Sequence, residues 1–102
     1  MTTLQIEDPI ATHVRIIDDS LVLDLADGRT VSVPLSWYPR IFQGTYQERE
    51  NMIIQGNGVG IHWPDLDEDI SIEGIIAGRT SKESPTSLKR WLHSRNKGVK
   101  QL

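Results

Sequence analysis

His13-Val14-Arg15-Ile16-Ile17, Leu21-Val22-Leu23-Asp24-Leu25 and Thr30-Val31-Ser32-Val33-Pro34-Leu35 follow one another with only short breaks between them. In the first run Val14 and Ile16 share one face while His13 and Arg15 take the other, the period of two that marks a half-buried strand. Leu21, Leu23 and Leu25 repeat the pattern with Asp24 turned outward, and Val31, Val33 and Leu35 repeat it again against Thr30 and Ser32. The breaks are Asp18-Asp19-Ser20 and Ala26-Asp27-Gly28-Arg29, and Asp-Gly is a strong hairpin signal because glycine accepts a positive φ without steric penalty. The expected result is a three-stranded antiparallel meander from about Ala11 to Leu35, apolar on one face and wet on the other.

Downstream, Pro34 ends the third strand because it has no hydrogen to donate to a ladder. Ser36 is placed to cap a short turn containing Trp37 to Phe42, which Gly44 closes. Thr45-Tyr46-Gln47-Glu48 has capping-box spacing and predicts a helix from Tyr46 to about Ile54, stopped by Gly56-Asn57-Gly58. Val59, Ile61 and Trp63 alternate with Gly60 and His62, predicting a fourth strand that Pro64 ends. Asp69 to Ile72 reads as a further short strand or as the entry to a helical turn; the spacing of Ile72, Ile75 and Ile76 favours the turn, with Gly78 at the C-terminal cap. Ser84-Pro85 opens a last helix whose Leu88, Trp91 and Leu92 form an apolar stripe, and Lys97 to Leu102 is expected to fray. The fold class is therefore α+β: a small antiparallel sheet, built from the meander plus a later strand, with short helices and a C-terminal amphipathic helix.

A chain of 102 residues, 37% hydrophobic and 25% charged, is one domain's worth of a soluble globular protein. It holds no apolar run near the roughly 20 residues of a membrane span. Met1 to Pro9 carries Glu7 and Asp8 and lacks the basic and apolar regions of a signal peptide, so the expected location is the cytoplasm. Without cysteine, disulfides, thiolate zinc sites and cysteine nucleophiles are excluded. Charge is unevenly placed. Residues 1–78 hold four basic side chains against thirteen acidic ones, whereas 79–102 hold seven basic against the single Glu83. This divides the chain into an acidic α+β body and a basic C-terminal extension, the latter either clamped on the body or free to meet an anionic partner.

The segment Ile61 to Ser71 concentrates His62, Trp63 and four carboxylates, Asp65, Asp67, Glu68 and Asp69. Asp65, Asp67 and Asp69 match the odd positions of a calcium loop, but Ile70 stands where the turn glycine belongs and Ile76 where the bidentate glutamate belongs, so no metal is expected. His62 invites a general-base reading, yet no nucleophile accompanies it and a hydrogen-bonded strand histidine explains it better. Gly56-Asn57-Gly58-Val59-Gly60 precedes a strand, not the helix a phosphate loop requires. No catalytic residue, metal or cofactor is assigned. Trp37, Tyr38 and Arg40 form a candidate recognition cluster, because three bulky groups at a strand end must be accommodated somewhere. On the last helix Lys89, Arg90, Arg95 and Lys97 are candidates for phosphates or an acidic partner, although no second helix at helix-turn-helix spacing supports base reading.

Taken in order, Asp27-Gly28-Arg29, Val33-Pro34-Leu35-Ser36-Trp37-Tyr38-Pro39-Arg40, Glu48-Arg49 and Gly60-Ile61-His62-Trp63-Pro64-Asp65-Leu66-Asp67-Glu68-Asp69-Ile70-Ser71 resemble the small bacterial family called domain of unknown function 2442. The likeness spans about Ala11 to Gly78. It implies an α+β domain and a small protein that partners a neighbouring gene product, for which an antitoxin-like role has been suggested; it brings no catalytic residue. Trp37, Tyr38, Arg40, His62, Trp63, Asp67, Glu68 and Asp69 are then candidates for an interaction surface. The expected function is a non-enzymatic module that binds a small protein partner, with a nucleic-acid-binding regulator using the basic segment as the alternative. A hydrolase using His62 ranks last, and self-association is left open.

Overall fold

The computed structural model describes residues 9–100, with side chains up to Arg95. The start read for a signal peptide, the side chain of Lys97 and the final two residues lie outside the described residues. The first sheet is the meander: β1 (Ala11–Ile17), β2 (Ser20–Leu25) and β3 (Thr30–Pro34), antiparallel in the order β1-β2-β3. Leu23 lies between Val14 and Val31, and Leu21 between Ile16 and Val33, so the apolar positions of all three strands share the core face. Asp18, at φ 53°, supplies the left-handed residue of the first hairpin, and Gly28, at φ 98°, that of the second. On the wet face Asp24 accepts from Arg15 and, at 3.0 Å, from Thr30, which crosslinks the three strands.

Beyond β3 the chain makes a 3-10 turn (Leu35–Trp37) and then α1 (Pro39–Phe42); Ser36 caps neither, because Pro34 and Tyr38 occupy the cap positions. The capping box forms as expected: Glu48 N–H donates to Thr45 Oγ1 at 3.1 Å and Thr45 N–H to Glu48 Oε1 at 2.8 Å. The helix it opens, α2 (Tyr46–Glu50), is shorter than the expected span to Ile54. Ile53–Gln55 instead forms β4, which pairs with β5 (Gly60–Trp63) through the glycine-rich turn. Two β-branched residues ahead of that turn gain a ladder partner in β5, a tertiary gain that local helix propensity does not match. Glu68–Ser71 forms β6 on the other side of β5, giving a second antiparallel sheet in the order β4-β5-β6 rather than one later strand. The two readings of Asp69 to Ile72 both occur in succession. β6 passes into α3 (Ile72–Ile76), capped by Ser71, whose Oγ accepts from Gly74 N–H at 2.9 Å, and left through Gly78 at φ 78°.

One apolar core joins the two sheets. Leu21, Leu23, Leu35, Ile41, Ile61, Trp63, Leu66, Ile72 and Ile75 are buried together, with Val14, Ile16, Val31, Trp37 and Ile70 at its edge. The last helix, α4 (Pro85–Lys100), starts at Pro85 as expected and lays Trp91 against this core, with Leu88 and Leu92 half-buried beside it.

Candidate interaction surface

Strand alternation decides where the signature residues point. Trp63 shares the core face with Ile61 and is fully buried, its indole N–H donating to Arg49 O at 3.0 Å. Tyr38 is 3% exposed and donates its hydroxyl to Arg79 O at 3.2 Å; burial, and then the charge of Glu68, push its phenol above the usual value. Trp37 is partly buried on the core edge and its carbonyl accepts from Ser81 N–H at 3.0 Å. These three aromatics hold the fold together and offer little surface.

The carboxylates between Pro64 and Ser71 do not converge. Asp65 accepts from Asn51 at 3.0 Å, and Asp67, in a left-handed turn at φ 52°, faces Arg40 at 3.4 Å. Asp69 sits opposite His62 across the β5–β6 ladder and meets its Nδ1 at 2.8 Å on the outer face. Glu68 stands on the inner face opposite Trp63. Among the described residues no group of three or more His, Asp or Glu side chains is gathered for a metal ion.

Glu68 is the carboxylate in the least ordinary setting. It is half-buried beside Tyr38 in a cleft of about 320 Å³ between β6 and residues 79–82. Burial raises its carboxyl above the usual range; its contact with Asp69 N–H and the nearby Arg40 only partly oppose this.

Arg40 belongs to a clasp that fastens α4 to the body. Its Nε and Nη2 meet the two carboxylate oxygens of Glu83 at 2.6 and 3.0 Å, and its guanidinium lies 5.0 Å from the ring centre of Trp91. Arg95 lies 4.6 Å from the centre of the same ring and reaches Glu48 at 2.7 Å. The single acid of the basic extension is thus matched to a body arginine, and one of its cations to a body glutamate. Of the candidate cations with described side chains, Arg95 is engaged, whereas Lys89 and Arg90 are exposed on the outer side of α4.

Large apolar groups remain exposed elsewhere. Phe42, Tyr46, Ile53, Ile54 and Val59 all fall between residues 42 and 59, and Ile17 ends β1, the strand that approaches α2. Tyr46, at 77% exposure, is the most open of them. Arg49 organises the region: it donates to Ile41 O at 3.1 Å and Phe42 O at 2.5 Å, lies 5.9 Å from the Phe42 ring centre and faces Asp19 at 3.9 Å. The capping box was the available signal, since it puts Tyr46 in the first turn of a helix too short to bury it.

These features define a two-sheet α+β domain with a clasped terminal helix, a half-buried carboxyl in a cleft and exposed Phe42 and Tyr46 beside Arg49. The chain belongs to the family described as Protein of unknown function (DUF2442), which matches residues 11–81. A crystal structure of a protein of unknown function from Rhodospirillum rubrum ATCC 11170 is similar at TM-score 0.67 and 26% identity, over 76% of this chain and 95% of that one. A solution structure of an uncharacterized protein from Chromobacterium violaceum is similar at TM-score 0.61 and 21% identity, over 72% of this chain and 69% of that one, a likeness of fold alone. No curated protein matches. Among the described residues no helix is long and apolar enough to cross a membrane.

Proposed function

We propose that the chain is a non-enzymatic interaction module that binds a small protein partner, in the manner of the neutralising half of a toxin-antitoxin pair. The observation that carries this reading is the exposure of Phe42 and Tyr46 on either side of Arg49, whose guanidinium lies 5.9 Å from the Phe42 ring centre and which follows Tyr46 by one turn of α2. Two exposed aromatics sharing one arginine mark a contact surface more than scattered single side chains do. The acidic balance of residues 1–78 favours a basic partner. Capture on the tagged full chain from its native host is expected to recover one small stoichiometric protein, and the Phe42→Ser, Tyr46→Ser double variant is expected to lose it. Recovery of no partner, or equal recovery by the variant, contradicts the reading.

The alternative, nucleic-acid binding through α4, draws support from exposed Lys89 and Arg90. With Arg95 held by Glu48, Lys89 and Arg90 are the cations left exposed on the described part of that face, so removing both is expected to reduce the salt slope of any binding to duplex DNA by about 2, at roughly 0.9 per phosphate contact. A slope reduced by that much in a Lys89→Ala, Arg90→Ala variant supports this reading; affinity indifferent to salt, or a slope unchanged by the variant, removes it.

A further inference from the structure

Strand β6 is an edge of its sheet, and its free side opens into the cleft. Ile72 N–H donates to Val59 O at 2.9 Å, and antiparallel ladders alternate bonded with non-bonded pairs. Stepping two residues at a time, Ile70 opposite Ile61 and Glu68 opposite Trp63 direct their backbone groups toward β5. Asp69 therefore turns both of its backbone groups the other way, into the cleft, and Ser71 its N–H, its carbonyl being held by α3 as that helix's N-cap. The Asp69 N–H meets only the Glu68 side chain there, at 3.2 Å. The far wall is fixed: Arg79 N–H donates to Gly74 O at 2.9 Å, Ser81 N–H to Trp37 O at 3.0 Å, and Tyr38 holds Arg79 O.

An unpaired edge beside a rigid wall has the geometry that accepts an added strand. The charge inside the cleft selects what that strand carries. Among the described residues Glu68 has no salt-bridge partner: Arg40 is spent on Glu83, and the Asp69 carboxylate on His62. Of the two cations on the far wall, Arg79 turns to Glu73 at 3.3 Å, and Lys82 is exposed, where water and salt screen it more than they screen half-buried Glu68. We propose that this cleft is a β-augmentation site for an extended peptide segment bearing a lysine or arginine, its backbone paired with Asp69 and its cation on Glu68. The site is separate from Phe42 and Tyr46 and stands or falls independently of the function proposed above.

The test is an amide-resolved NMR titration of the full chain with the blocked peptide Ac-Thr-Val-Lys-Val-Thr-NH2. Expected are shifts at the Asp69 and Ser71 amides, roughly tenfold weaker binding on Glu68→Gln or on replacing the peptide lysine by leucine, and unchanged binding by the Phe42→Ser, Tyr46→Ser variant. Of two peptides N-methylated on opposite edges, one is expected to bind normally and the other to lose binding. The proposal is overturned by silence at Asp69 and Ser71, by equal affinity for the leucine peptide or for Glu68→Gln, or by insensitivity to both methylation patterns. Glu68→Gln keeps the shape of the side chain, and an unchanged amide spectrum away from the cleft certifies the fold.

Discussion

Replacing Glu83 by Gln tests the clasp that docks the terminal helix. In the folded chain Arg40 is 18% and Glu83 9% exposed at the side chain, and they share two hydrogen bonds of 2.6 and 3.0 Å. A fully exposed pair is worth about 0–1 kcal/mol, and breaking a fully buried one costs about 3–5 kcal/mol. This pair lies between, since its donors form a bidentate contact on largely covered carbons while Asp67 and the Trp91 ring still compensate Arg40 once Glu83 is neutral. The coupling expected from a double-mutant cycle of Glu83→Gln with Arg40→Met is therefore about 1–2 kcal/mol at pH 7. The Arg40 hydrogen bond, helped by Ser87, holds the Glu83 carboxyl below its ordinary value of 4.5. A depressed carboxyl stabilises the fold above its unfolded value and loses that contribution as pH falls through its folded value. The gap between wild type and Glu83→Gln should therefore be full at pH 7 and should close at pH well below 4.5. Urea unfolding followed by tryptophan fluorescence measures both quantities. A coupling below about 0.3 kcal/mol, or a gap that does not change with pH, would refute the view that this contact fastens α4 to the body.

Three further outcomes follow from the same contacts. Glu68→Gln is expected to raise the urea midpoint at pH 7, because burial lifts this carboxyl and its charged form costs stability above the folded value; the gain should vanish once the pH falls below the ordinary 4.5. Gly58→Ala should destabilise by well over the ~1 kcal/mol of left-handed strain alone, since a Cβ there would lie 2.6 Å from Ala11 O at φ 101°, whereas Gly28→Ala, at φ 98° with open space around it, should show the strain alone; paired thermal melts separate the two. Trp63→Phe removes the donor to Arg49 O and leaves a void at the centre of the core, for an expected loss of about 2–4 kcal/mol by chemical denaturation.

Local periodicity exposed the meander because each of its strands carries its apolar residues at alternate positions and its turns carry Asp18 and Asp27-Gly28. The capping box at Thr45 and the Ser84-Pro85 start were legible for the same reason: their physics lies within a few residues. Strand β4 was not legible, because Ile53 and Ile54 are apolar in either conformation and only their partners Ile61 and His62 select the strand. The candidate site divides along the same line. That His62 would be a hydrogen-bonded strand residue was readable, but its partner Asp69 follows from the register of β5 against β6. The aromatics of the signature read equally well as surface or as core, and burial places Trp63 and Tyr38 in the core. The Glu48–Arg95 and Arg40–Glu83 pairs span 47 and 43 residues, a separation no local pattern encodes. Phe42 and Tyr46 were not legible as surface because they read as core residues until α1 and α2 prove too short to cover them.

The interaction surface is tested most directly by the NMR footprint of the captured partner on the full chain. Shifts and line broadening concentrated at Phe42, Tyr46 and Arg49 are the result expected. A footprint confined to Lys89 and Arg90 on α4, with Phe42 and Tyr46 unperturbed, would contradict the account.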